Sequence, residues 1–245
     1  MSEHSSPSVW RAQPLGRRGF LRVSVAATAT ATLVVATGCD TETPTPVEPN
    51  LFSLVLPAGD PGLLYYAYLL ALAQATLYQK IVDSPPADLA AAERAIFADL
   101  RDHEVIYREV FRYGIDPTGE RGLLPNDFAF NLKSFALTTR TGVLDAAQQL
   151  EDLAAAAYSV LGPLSAAANV TQQTLLLKMA SVQARHAATV RDLRTPGSFA
   201  GDDVVEATGT LAGQLRSKTP AEVTAALAPF FAPYVISVAQ LATPA

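Results

Sequence analysis

Between residues 97 and 111, four apolar residues and one acid, Phe97, Leu100, Glu104, Tyr107 and Phe111, fall at spacings of 3, 4, 3 and 4. That rhythm puts them in one row along a helix and is incompatible with a strand, whose side chains alternate with a period of two. Two further rows keep it: Thr139, Val143, Ala146, Leu150, Leu153, Ala157 and Val160, then Gln172, Leu176, Met179, Gln183, His186, Val190 and Leu193. Such a row is stable when another helix covers it. The chain is therefore predicted to be all-α, a four-helix bundle.

The first helix is predicted over residues 61–82 and is apolar nearly all round, as befits a helix buried among others. Its charge-free run, 61–79, would also suit a membrane span. Tyr65, Tyr66, Tyr68, Tyr78, Gln74 and Gln79 within it favour the bundle interior, with the tyrosines as core packing. The second helix is predicted to start after Ser84-Pro85-Pro86, with Ser84 as cap and proline in the first turn, and to end at Gly114. Residues 115–131 form a long Gly/Pro-marked connection, expected to cross over the bundle. The third helix is predicted over 136–161 and the fourth over 170–193, capped by Asn169. Residues 195–245 read as a C-terminal helical extension, a loop and then one or two short helices around 220–240.

The N-terminal segment constrains location. Arg17-Arg18-Gly19-Phe20-Leu21 leads through the apolar run 23–35 into Ala36-Thr37-Gly38-Cys39. This resembles a bacterial twin-arginine export signal ending in a lipoprotein box, with Gly16 and Arg22 where Ser and Lys are usual. The apolar run is shorter than the roughly 20 residues a bilayer core requires, and its basic leading flank suits a cleaved signal. The resemblance implies that residues 1–38 are removed and that Cys39 becomes the lipidated first residue, anchoring an exported protein to the cell envelope. Residues 39–57 are read as a Thr/Pro-rich tether and 58–194 as the bundle.

With its only cysteine committed to lipid, the mature chain has no thiolate metal site or disulfide. Loss of Arg11, Arg17, Arg18, Arg22 and Glu3 takes 18 basic and 23 acidic side chains to 14 and 22. That acidic balance argues against nucleic-acid binding, which needs a basic footprint. No nucleophile with an adjacent base and no Gly-rich phosphate loop is present, and the chain reads as non-enzymatic.

Polar groups avoid core rows unless they are paired, so Glu104, Gln183 and His186 stand out. His103 is turned about 100° from Glu104 and reads as a solvent-facing partner of Asp99. Glu151-Asp152 lies off the chosen row and reads as a solvated face. Asn169-Val170-Thr171 fits a glycosylation acceptor by spacing alone.

The segments Leu70-Ala71-Leu72-Ala73-Gln74-Ala75-Thr76-Leu77-Tyr78, Asp102-His103-Glu104-Val105-Ile106-Tyr107, Thr141-Gly142-Val143 and Gln183-Ala184-Arg185-His186-Ala187-Ala188 resemble the four helical motifs of the bacterial ferritin-like family that also includes plant desiccation-related proteins. The resemblance implies a ferritin-like four-helix bundle in which two helices supply one Glu each and two supply Glu-x-x-His to paired irons. Carried over, the first Glu becomes Ala71, with Gln74 nearby. The second motif keeps Glu104 but has Tyr107 for His, the third Glu becomes approximately Thr139, and the fourth has Gln183 for Glu but keeps His186. One carboxylate and one imidazole remain, too little charge to hold two Fe(II) ions in a low-dielectric interior.

The expectation is a degenerate di-iron site with no resident cofactor. Glu104, Tyr107, Gln183 and His186 would form a hydrogen-bonded network, with Arg140 and Arg185 as charge partners. The alternative is a metal-binding or oxidase protein with a reduced site, one iron or other divalent ion held by Glu104 and His186, helped by Tyr107 or Gln183. The desiccation-related resemblance implies a stress-protective envelope role; a homo-oligomer or a module binding an envelope protein is the other reading.

Overall fold

The computed structural model describes residues 52–242. Arg17, Arg18, Cys39 and the tether up to residue 51 lie outside the described residues. The elements follow in the order β1 (Ser53–Val55), α1 (Gly59–Asp83), α2 (Ala91–Ile115), α3 (Arg140–Leu164), α4 (Val170–Arg194), α5 (Pro220–Phe231) and β2 (Val235–Ser237). Helices α1 to α4 are each 25 residues long, about 38 Å at 1.5 Å per residue, so they can cover one another end to end. α1 packs along α2, α3 along α4, and the two pairs meet where α1 lies against α3.

Ion pairs and caps at the helix starts fix the directions. Arg140, the first residue of α3, bonds Glu93 in the first turn of α2 at 2.6 Å. Asp60 in the first turn of α1 accepts from the side chain of Asn169, the α4 cap, at 2.6 Å. α2 and α3 therefore start at one end of the bundle, α1 and α4 at the other. The connection 116–139 must run the bundle's length, which is the crossover expected from the sequence. Aromatic contacts hold it: Phe128 and Phe130 lie against Phe231, Phe135 stacks on Phe230 with ring centroids 4.7 Å apart, and the Asn131 N–H donates to the Phe230 carbonyl at 2.8 Å.

Several predicted boundaries shift for local reasons. Ser84 caps the C-terminus of α1 and not the start of α2. α2 begins at Ala91 because Glu93 reaches back to accept the Ala90 N–H at 2.9 Å, closing the first turn without a hydroxyl. α3 begins at Arg140, since Thr139 Oγ1 accepts the Gly142 N–H at 3.2 Å. Residues 136–139 instead fold back over that first turn, and a Cβ on Gly142 would stand 2.0 Å from the Ala136 carbonyl oxygen.

The extension holds a short helix where one or two were expected, and adds a strand. One helix, α5, is followed by β2, which pairs in parallel with β1 in the register Ser53↔Val235, Leu54↔Ile236 and Val55↔Ser237. Residues 53–55, read as tether, are thus part of the folded body. Arg191, buried on α4, bonds both carboxylate oxygens of Asp152 at 2.8 Å and also holds Asp203, tying the extension to the bundle. Among the described residues, no helix is long and apolar enough to cross a membrane.

Candidate metal centre

Each bundle helix sends polar side chains to one level of the interior. From α1 come Gln74 and Tyr78, from α2 Glu104, from α3 Glu151, and from α4 Gln183 and His186, all buried. Spacings of i, i+4 on α1 and i, i+3 on α4 put each pair on one helix face. Gln74 Nε2 donates to Gln183 Oε1 at 2.9 Å, and Gln183 Nε2 donates to Glu104 Oε1 at 2.8 Å. His186 Nδ1 lies 3.1 Å from the same oxygen. The Tyr78 hydroxyl donates to Glu151 Oε1.

Glu151 corrects the sequence reading. It is fully buried, not part of a solvated face, while its neighbour Asp152 is half-buried against Arg191. Thr139, expected near the third carboxylate position, is spent on capping α3. The error lay in choosing between adjacent rows. Leu144, Ala147, Glu151, Ala154, Tyr158 and Leu161 also repeat at 3 and 4, and all are 0–1% exposed, whereas in the chosen row Leu153 is 9% exposed and Thr139 faces solvent. At this level of the bundle, two buried carboxylates and one buried imidazole come together, rather than one of each.

Other expected partners are elsewhere. Tyr107 makes no hydrogen bond to Glu104; its ring stacks against His186 and His103 with centroids 6.4 Å away in each case. Arg140 serves Glu93 and the Leu193 carbonyl, and Arg185 donates to Ser181. His103 does face solvent, but its ring lies on His186, not on Asp99. Ala71 is buried and offers no ligand atom, while Gln74 does reach the centre. Tyr78, read as core packing, also orients Glu151.

The electrostatics follow from burial. Removal from water pushes Glu104 up to about 8, partly offset by the Gln183 hydrogen bond. Glu151 is likewise pushed up to about 8, first by burial and then by the nearby Glu104 charge. Burial lowers His186. A pair of buried acids with no cation therefore keeps protons that exposed acids would release.

The residues fit one divalent cation. Glu104, Glu151 and His186 each offer a ligand atom, all within 4.8 Å of one another. Three donors on one ion at about 2.0–2.2 Å stand about 3.3–3.8 Å apart in tetrahedral to trigonal arrangement, so side-chain shifts of about 1 Å close the set. Among the described residues, Glu104 Oε2, Glu151 Oε2 and Gln74 Oε1 are buried with no hydrogen-bond partner, a costly arrangement that a cation would relieve. Two carboxylates balance the charge of one such ion, which would act there as a Lewis acid.

A bundle of two antiparallel helix pairs with one long crossover and a mid-bundle carboxylate–imidazole cluster defines the class of carboxylate-bundle proteins. Residues 59–196 match the model of the ferritin-like domain family, and the chain belongs to that family. No curated protein and no solved structure matches the chain.

Proposed function

We propose that this chain is an exported, lipid-anchored ferritin-like protein of the cell envelope, non-enzymatic, whose centre is reduced from paired irons to a site for one divalent cation. The observation that carries the cation site is the buried triad Glu104, Glu151 and His186 with two unpartnered carboxylate oxygens. Paired ions would need further charge. The family pattern brings four carboxylates and two imidazoles, whereas this interior has Gln74, Gln183 and Tyr107 around two acids and one imidazole. Iron is the favoured ion by family, and binding it would remove a redox-active metal from solution. That suits the stress-protective role implied by the desiccation-related resemblance.

Anchoring rests on Arg17-Arg18 and the Ala-Thr-Gly-Cys39 ending of the apolar run. Metal analysis of protein purified after native export is the test. One ion per chain, lost in Glu151→Ala, is the expected result; two irons per chain with an oxidation-dependent absorption band would overturn the reading. Cys39→Ala is expected to release the protein from the membrane fraction.

A second reading, a purely structural network, is favoured by the unbroken hydrogen-bond chain Gln74–Gln183–Glu104–His186. Under it no ion is retained. An envelope partner or self-association has support in Ile106, Val110 and Tyr113, exposed at i, i+4 and i+7 on α2. A concentration-dependent size would follow.

A further inference from the structure

His186 uses both ring nitrogens. Nδ1 faces the interior, 3.1 Å from Glu104 Oε1, and Nε2 faces outward, 3.1 Å from Nδ1 of His103. The two rings are within 6° of parallel with centroids 5.2 Å apart. Tyr107, one turn beyond His103 on α2, stacks against both. His103 is exposed while His186 is buried, so this pair leads from the centre to the protein surface.

One proton lies between the paired nitrogens, and its placement decides what His186 can do. When His186 Nδ1–H donates to Glu104, Nε2 is a lone pair and His103 Nδ1–H donates to it. When Nδ1 is given to a cation, the proton of the neutral ring sits on Nε2 and His103 accepts it. An imidazole can fill both roles, as can a side-chain amide; a hydrocarbon can fill neither. Ligating histidines generally donate their second nitrogen to such a partner, and loss of the partner weakens metal affinity by about 10- to 100-fold.

We propose that His103 is the positioning residue of the centre: it fixes the ring and tautomer of His186 so that Nδ1 is presented to a divalent cation beside Glu104 and Glu151, and so sets the affinity for that cation. This rests on the reading of the triad as a cation site. His103 contacts no cation in this arrangement and acts through His186 alone.

The test is titration of the purified full chain with Co2+, followed by calorimetry and by visible absorption, for the parent, His103→Gln, His103→Leu and Glu151→Ala. His103→Leu is expected to weaken Co2+ binding about 10- to 100-fold and to shift the Co2+ absorption band. His103→Gln is expected to keep the parent's affinity and band, and cation-free unfolding should be the same in both His103 variants. Parent-like affinity and absorption in His103→Leu would overturn the proposal and leave the cation site standing. Equal weakening in His103→Gln and His103→Leu would also overturn it, by showing that stacking and not the hydrogen bond matters. A parent that binds no Co2+, like Glu151→Ala, would remove the cation site and the proposal together.

Discussion

The α1–α3 side of the bundle and the α2–α4 side meet in different ways. On the first, Ala67, Ala71, Ala147 and Ala154 are buried, and the Tyr158 hydroxyl reaches the backbone carbonyl of Ala67 at 3.1 Å. Small residues let these helices approach closely. On the second, long polar side chains span the gap, Gln183 to Glu104 and His186 to His103. The closely packed side gives rigidity and contributes Gln74, Tyr78 and Glu151 from a wall otherwise lined by apolar groups. The spanned side supplies the imidazole and the path to solvent. A buried polar centre can persist because one pair of helices fixes the scaffold while the other carries the adaptable ligands.

Breaking the packed side should have the largest effect. Tyr158→Ala removes a fully buried ring and is expected to cost about 3–5 kcal/mol in denaturant unfolding. A loss under about 1 kcal/mol would mean that α1 and α3 are not the rigid half.

The next effect belongs to the centre. If the triad binds a divalent cation, saturation at about 100 times Kd should stabilise the parent by about 2.7 kcal/mol, read as a rise in Tm. Glu104→Gln should abolish that rise while keeping Gln183 and His186 supplied with a hydrogen-bonding partner. An equal rise in the variant would place the ion elsewhere.

The pH dependence sharpens the same contrast. Glu104 and Glu151 are raised from the ordinary 4.5 to about 8, mainly by burial. In cation-free protein the folded state thus holds protons that the unfolded chain has already released. Their contribution to stability is complete below about pH 4.5, declines as pH rises through about 8, and is then level. Tm measured with a chelator should fall across that window in the parent and fall less in Glu104→Gln. Cation affinity should rise over the same range, because the ion displaces those protons. The smallest effect is expected at the solvent end, where His103→Leu should change cation-free stability by no more than about 0.5 kcal/mol.

Much of the architecture was legible in the residues. Rows at 3 and 4 identify three helices because a helical stripe must be covered, all-round apolarity marks the fourth, and the cap Asn169 marks a real helix start. The centre was only half legible. Glu104 and His186 interrupt rows that are otherwise largely apolar, so they announce themselves. Glu151 does not, because α3 is buried over most of its surface and carries two adjacent rows of equal regularity. Periodicity cannot choose between such rows when both are covered. Tyr78 is hidden for the same reason, on a helix with no polar face to orient it.

By itself the sequence determined the helix number and the crossover, since these follow from local periodicity and chain length between helices. Tertiary structure alone decided that Glu151 faces Glu104 and His186, that His103 backs His186, and that 53–55 joins a strand near the C-terminus. Each of these depends on the rotation of one element against another, which is set by packing between residues far apart in the chain and leaves no mark in the spacing of either segment.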